Sequence, residues 1–379
     1  MSVIVVQCIA KLELGGAQKI VLELMRELKN QGILITGRGG KLYSSVKEEF
    51  GERHVTLPCL KRKINPLQDL ICFFKLRKIL IKLHDRYDKV ILHTHGSKAG
   101  VLGRIVSGSL PFVHSVHVIH GFAINPYISP LKSFIYLNAE RISSCFGDII
   151  VTVARAHIKR SIEWGMSKKV KYFCIPNYVN VDNFRVQRKK NKFIKIVTVA
   201  NFKPQKNPFM WAKVALEVTS RFDNVVFIYI GDGPMRESVE KLIQASKRIK
   251  ILGWRNDIAD LLPDMDIFFL PSRWEGLPLS VLEAMASALP VVASAVDGTT
   301  EVVLDAVTGY LLAPDDLNGY VEKLGKLIEN ANKRKEMGRE GRERVRKCFS
   351  YKSMIGKVFY IYGSLGFTQR GKTAEFKNK

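Results

Sequence analysis

The stretch that decides the fold is Pro271–Glu301, PSRWEGLPLSVLEAMASALPVVASAVDGTTE. An apolar run, Asp266 to Leu270 (DIFFL), leads into it with the length and density of a buried strand. A tight turn around Glu275-Gly276 follows. A helix then opens near Pro278, because proline fits a first helical turn whose N–H groups have no partner. Val281, Leu282, Ala284, Met285 and Ala288 give that helix a packing face, Pro290 ends it, and Val291-Val292-Ala293 supplies the next strand. Such a βαβ unit sets the helix N-terminus at the carboxyl edge of a parallel sheet, where open α/β sheets bind their ligands.

Two carboxylates frame that N-terminus: Glu275 in the turn and Glu283 about five residues into the helix. At ~1.5 Å per residue, Glu283 lies roughly 7–8 Å along the axis from the turn. The N–H groups of Gly276, Leu277 and Leu279, with the helix dipole behind them, suit phosphate oxygens. A carboxylate beside a phosphate would repel it, so both acids are expected to face neutral hydroxyls, such as those of a sugar or a ribose. The plainer alternative makes Glu275 a partner of the dipole and Glu283 a solvated helix residue.

Glu275-Gly276-Leu277-Pro278 followed by Glu283-Ala284-Met285-Ala286 resembles the E-x7-E signature of family 4 glycosyltransferases. These are retaining enzymes of the GT-B fold that transfer a sugar from a nucleotide diphosphosugar. The resemblance implies that Glu275 contacts donor-sugar hydroxyls and Glu283 the ribose. It also implies that the Gly276–Leu277 backbone lies against the sugar and diphosphate.

The rest of the chain is consistent with that reading. At 379 residues it is long for one core and suggests two domains. Lys and Arg number 60 against 35 Asp and Glu, a net charge of +25. The excess is concentrated in residues 1–190, which hold 31 basic and 13 acidic residues. Zinc-finger spacing, RNP-like aromatic strands and basic heptads are absent from the sequence, which argues against nucleic acid and leaves an anionic membrane surface as the expected partner of that charge. The six cysteines are scattered, with no C-x-x-C pair, as in a reducing cytoplasm. Uninterrupted apolar runs stay well short of ~18 residues, so membrane attachment is expected to be peripheral, on the inner face of the cell membrane.

Ser2 to Ile9 reads as the first buried strand, and Gly15-Gly16 opens the helix after it. The pair matches the family's GGA turn, which implies that Gly15 and Gly16 face the donor diphosphate. Pro66 to Arg86 is an amphipathic helix with a basic face, in which the adjacent Phe73 and Phe74 cannot both enter one core. Val90 to His95 is a strand ending in Gly96-Ser97-Lys98, with Ser97 the expected N-cap. Phe112 to Ile119 is another, ending at His120. His93, His95, His117 and His120 gather at these strand ends without a zinc motif, so they read as hydrogen-bonded side chains with one or two at a cleft. HTHGSKAG and VIHGF are similar to family 4 enzymes that build bacterial capsule and exopolysaccharide. That likeness implies His120 nearest the donor sugar, and His95, Ser97 and Lys98 on the acceptor side.

Asp148 to Val153 is the sixth strand. Ile175-Pro176-Asn177-Tyr178-Val179 resembles the family's I-P-N-G-V segment with tyrosine in place of glycine. The second domain restarts at Phe193. In Asn201-Phe202-Lys203-Pro204-Gln205-Lys206, Lys206 matches the family lysine on the donor diphosphate, and Asn201 stands where arginine is commonest. Lys203 or Arg273 is available to restore that charge. Gly231-Asp232-Gly233-Pro234 is similar to the family's G-x-G-P turn. Asp264-Met265-Asp266 precedes a buried strand and reads as strand punctuation, not a metal site.

The expected architecture is α/β, two Rossmann-like doubly wound domains facing across a cleft. They would be residues 1–185 for the acceptor, a basic hinge at 186–193, residues 194–350 for the nucleotide sugar, and 351–379 as a helix crossing back to the first domain with its tail. The expected activity is retaining transfer of a hexosyl or N-acetylhexosaminyl group from a nucleotide diphosphosugar to a lipid-linked saccharide in surface polysaccharide synthesis. Neither metal nor cofactor is expected. The catalytic set is His120, Glu275 and Lys206; the donor set is Gly15, Gly16, Asn201, Lys206, Glu275, Gly276, Leu277 and Glu283. Two other readings stay open at this point: a nucleotide-sugar epimerase of the same architecture, and a non-catalytic partner subunit.

Overall fold

The computed structural model describes residues 2–13, 15–125, 127–186 and 192–369. Most of the expected basic hinge, and the tail beyond residue 369, lie outside the described residues. The chain divides into two compact units: residues 1–176 with 354–379, and residues 177–353.

The first unit holds a seven-stranded sheet: β1 (Val3–Ile9), β2 (Gly32–Thr36), β3 (His54–Thr56), β4 (Lys89–His95), β5 (Val113–Ile119), β6 (Ile149–Thr152) and β7 (Lys171–Cys174). Its order is β3-β2-β1-β4-β5-β6-β7, parallel throughout. Near-continuous apolar strands are what a sheet covered on both faces requires. Strand alternation sends Ile4, Val6 and Cys8 to one face, against Leu76 and Leu80 of helix Pro66–His84 and Val106 of helix Ser97–Gly108. Ile9 packs on the other face with Val21 and Met25 of helix Gly16–Leu28.

The second unit holds six parallel strands: β8 (Ile194–Val199), β9 (Val225–Ile230), β10 (Ile249–Gly253), β11 (Ile267–Leu270), β12 (Val291–Ser294) and β13 (Gly309–Leu312), in the order β10-β9-β8-β11-β12-β13. Phe227, Phe269, Trp211 and Tyr320 fill one core layer edge to face. On each sheet the strand order reverses once, between β1 and β4 and between β8 and β11. Those two points are where a doubly wound sheet opens a crevice at its carboxyl edge.

Several local expectations need correction. The division between units falls at 176/177, earlier than residue 185. The reason is hydrogen bonding: Val179 N–H donates to Phe349 O (3.0 Å) and Arg342 Nη1 to Phe184 O (2.8 Å), tying this segment to helix Ala331–Cys348 and its end. The helix after β11 is Leu279–Ala286 and stops four residues before Pro290, because Ala288 turns into the left-handed region (φ 56°). Gly96, not Ser97, is the N-cap of helix Ser97–Gly108. Tyr178 needs no glycine-like backbone, since it is absent from the positive-φ residues and packs, buried, on Tyr351 at 4.9 Å. Helix Tyr351–Ser364 belongs to the first unit from Met354 onward. The chain beyond it stays attached there, Gln31 Nε2 donating to Thr368 O (3.0 Å). Helix Pro130–Ser144 was not anticipated at all.

Candidate active site

In the second unit the sequence-nominated residues meet at the β8/β11 reversal. The loop after β8 carries Lys206, and the loop after β11 carries Glu275. Glu275 is 4% exposed, and its Oε1 accepts from Lys206 Nζ at 2.5 Å and from Ser272 Oγ at 2.6 Å. A buried carboxylate must be paired and hydrogen-bonded to remain charged, and these two donors do that. Two further contacts lock the loops together: Arg273 N–H donates to Gln205 O (2.8 Å), and Gln205 Nε2 to Trp274 O (3.0 Å). Glu275 and Lys206, expected on different parts of a ligand, are thus joined to each other.

The loop after β12 closes the other side. Asp297 Oδ2 accepts from the Glu275 N–H at 3.0 Å, and Gly298 N–H donates to Gly276 O at 2.9 Å. Asn177 Nδ2 donates to Leu277 O at 2.7 Å. The Gly276 and Leu277 carbonyls are thus occupied, which fixes the Gly276–Leu277 peptide with its Leu277 N–H and the Leu277–Pro278 peptide, which has no N–H. The N–H groups of Gly276 and Leu277 donate to no group among the described residues, and Pro278, the helix N-cap, has none to give. This leaves two unpaired amides just before helix Leu279–Ala286, the place on a helix that receives anionic oxygen. Glu283 is half-buried on the same helix. Asn201 is exposed, and its carbonyl accepts from Tyr229 Oη at 3.3 Å. The Gly231-Asp232-Gly233 turn presses on this loop so closely that a Cβ at Gly231 would lie 1.8 Å from Ala200 O. Only glycine fits there. Asp266, at the opposite end of β11, accepts from Lys195 N–H at 2.9 Å and is strand punctuation as read.

In the first unit Gly15, Gly16, Ser97, Lys98 and His95 lie at the β1/β4 reversal, and His120 ends the neighbouring β5. Gly15 is exposed and extended, as N-cap of its helix. Lys98 is ion-paired to Asp69 of helix Pro66–His84, its side chain 13% exposed. The histidines form hydrogen bonds with each other and with buried polar groups. His95 Nε2 lies 2.7 Å from Gln7 Oε1, and His95 Nδ1 3.1 Å from His120 Nε2. Both ring nitrogens of His95 are thus engaged inside the unit, one of them with His120. His93 Nδ1 meets Tyr362 Oη at 2.5 Å, and His117 Nδ1 meets Thr94 Oγ1 at 3.0 Å. Burial disfavours the charged imidazole. It holds His95 and His117 well below the usual range, His93 at about 3 and His120 at about 4. Among the described residues no three His, Cys, Asp or Glu side chains converge as metal ligands.

Sequence reasoning missed Ser272, Gln205, Asp297 and Asn177 around Glu275, and Gln7 and Tyr362 around the histidines. Ser272 had a weak signal, its place three residues before the acid. Tyr362 had none, lying 269 positions from His93.

Comparison with known proteins gives the family of the chain. Residues 14–183 match the family profile Glycosyltransferase Family 4, and residues 180–344 match Glycosyl transferases group 1. The UDP-Gal:alpha-D-GlcNAc-diphosphoundecaprenol alpha-1,3-galactosyltransferase of Escherichia coli is 28% identical over 370 residues, 92% of this chain and 94% of its own length. The O-antigen biosynthesis glycosyltransferase WbnH, also from Escherichia coli, is 30% identical over 299 residues, 78% of this chain and 82% of its own. Anabaena Alr3699/HepE, crystallised with UDP and glucose, has the same fold: TM-score 0.80 at 16% identity, covering 96% of this chain and 100% of that one. The family profiles and the fold together define a glycosyltransferase of the GT-B class. The chain belongs to the group 1/family 4 glycosyltransferases of polysaccharide biosynthesis.

Proposed function

We propose that this glycosyltransferase moves a hexosyl or N-acetylhexosaminyl group from a UDP-sugar to a saccharide carried on a lipid diphosphate, with retention of anomeric configuration and without a metal. The observation that carries the reading is the Lys206–Glu275 pair set against the unpaired amides of Gly276 and Leu277. Pyrophosphate on those amides draws Lys206 toward it, and Glu275, released in part, accepts hydroxyls of the donor sugar. Charge that grows on the departing diphosphate meets fixed donors that need no reorganisation, the largest kind of catalytic term. Gly15 and Gly16 approach the same diphosphate, Asn201 borders it and Glu283 takes the ribose. The departing phosphate receives the acceptor's proton, so no protein nucleophile is assigned. The donor base and the lipid diphosphate rest on the relatives: HepE holds UDP, and the galactosyltransferase is named for UDP-Gal and a diphosphoundecaprenol acceptor.

The acceptor side rests on the surface of the first unit. Leu67, Leu70, Ile71 and Phe74 on helix Pro66–His84 are 46–73% exposed, and Leu131, Phe134 and Ile135 on helix Pro130–Ser144 are 45–69% exposed. Both helices pack against helix Ser97–Gly108, whose first turn holds Ser97 and Lys98. Apolar side chains among Lys61, Arg62, Lys63, Lys75 and Lys132 suit an anionic leaflet on the cytoplasmic side, with Ser97 and Lys98 at the lipid diphosphate. No helix of the described residues is long and apolar enough to cross a membrane.

The test is mass spectrometry and anomeric NMR of products from UDP-sugars with extracted lipid diphosphate saccharides. A lipid-linked product with the donor's α or β configuration, formed in EDTA, is expected. An isomerised sugar from donor alone would show an epimerase instead.

A further inference from the structure

A line of hydrogen bonds crosses the first unit from the returning helix to the carboxyl edge of its sheet. Gln7 Nε2 donates to Tyr362 Oη at 2.8 Å; Gln7 Oε1 faces His95 Nε2 at 2.7 Å; His95 Nδ1 faces His120 Nε2 at 3.1 Å. Gln7, His95 and Tyr362 are all buried. Each link dictates the next. An amide oxygen only accepts, so the hydrogen between Gln7 and His95 sits on His95 Nε2. A neutral imidazole has one N–H, so His95 Nδ1 accepts and His120 Nε2 donates to it. His120 Nδ1 then keeps its lone pair and meets no partner among the described residues. At the other end Tyr362 O–H points to His93 Nδ1, and His93 Nε2–H is buried without a partner among the described residues. The one cost of this polarity therefore falls on His93 and not on the His95–His120 contact.

We propose that Tyr362, Gln7 and His95 are positioning residues that hold His120 as its Nε2–H tautomer, so that a bare Nδ1 at the end of β5 accepts a hydrogen bond from a hydroxyl of the donor sugar. The hydroxyl contact rests on the placement of His120 beside the donor; the tautomer does not. Burial, which keeps His120 uncharged down to about pH 4, serves the same end. A neutral acceptor adds no positive charge near an anomeric carbon on which positive charge is developing. It also requires an O–H at the sugar position it faces, since a group that can only accept rejects a partner with nothing to donate.

Nitrogen NMR of the full chain labelled with 15N-histidine, without donor, reads the tautomer directly. The His120 signal is identified by its loss in His120→Gln. Expected in the wild type at neutral pH are a protonated Nε2 and an unprotonated Nδ1 on His120. Gln7→Met removes both amide contacts at similar volume; His120 should become a tautomer mixture, with kcat/KM falling roughly tenfold, as when the partner orienting a functional histidine is lost. A protonated Nδ1 in the wild type overturns the proposal, because the whole line then runs backwards with the Gln7 amide reversed. So does a His120 signal unchanged in both Gln7→Met and Tyr362→Phe. Should Gln7→Met fail to fold, the wild type and Tyr362→Phe decide. An Nδ1 signal unmoved by saturating UDP-sugar overturns the hydroxyl contact alone and leaves the tautomer standing.

Discussion

The two units share a parallel doubly wound sheet, yet they equip its reversal point in opposite ways. The second unit places an ion pair, Lys206–Glu275, beside two unpaired amides. The first places an uncharged line of amide, phenol and imidazoles there. All eight histidines of the chain belong to the first unit. On the function proposed above, the difference follows from what each would do. A site that stabilises a leaving diphosphate needs fixed positive charge and donors, whereas a site beside a developing cation does best with neutral acceptors.

The contrast is most severely tested at the ion pair. Lys206→Ala and Glu275→Gln should each lower kcat/KM by roughly 10²–10³-fold, the loss typical of a donor or acceptor aimed at the transition state. Lys206→Ala should also cost about 3–5 kcal/mol of stability in urea unfolding, because it strands a buried carboxylate. Restoring an apolar pair with Lys206→Met and Glu275→Leu should return most of that stability and none of the activity. If the double variant is as unstable as Lys206→Ala, the pair is not what holds these loops.

Acid should separate the units. The buried histidines are neutral when folded and protonate near pH 6.5 when unfolded, so the unfolded state binds more protons as pH falls below that value. Stability is intact above about pH 6.5 and falls as pH drops toward the folded values, by about 2 kcal/mol at pH 5 for each fully buried histidine. Hydrogen exchange followed against pH should show protection lost first in β4 and β5, with β11 and β12 retained. Equal loss in both sheets would contradict this.

Packing beneath the histidines gives a smaller effect. A Cβ at Gly100 would lie 2.1 Å from the His117 ring, so Gly100→Ala should cost about 1–3 kcal/mol. The smallest effect belongs to the surface. Phe74→Ser with Leu131→Ser should weaken flotation with anionic liposomes by roughly tenfold while leaving transfer to a detergent-solubilised acceptor unchanged. Binding that ignores both these changes and added salt would remove the membrane from the first unit's role.

Much of the fold could be read directly. Buried parallel strands are short apolar runs, and Ile267–Leu270 or Val225–Ile230 announce themselves whatever surrounds them. Helix Pro130–Ser144 escaped notice because its apolar residues face outward: Leu131 and Phe134 are exposed, so no core period marks them. For the same reason Phe74 looked like half of an amphipathic pattern, and the structure divides the pair, Phe73 against the core and Phe74 at 60% exposure.

The sequence by itself determined the buried strands, the α/β class, and the positions of Glu275, Lys206 and His120 at loop ends, because those depend on local period and spacing. Only the tertiary structure decided that Lys206 pairs with Glu275, that Gly298 and Asn177 hold the Gly276 and Leu277 carbonyls, and that Tyr362 reaches Gln7 across the length of the chain. A hydrogen bond is a property of distance and angle between atoms, and residues far apart in sequence leave no periodic trace of it. Chemistry can be located by pattern; its charge state and direction are set only by what folding brings alongside.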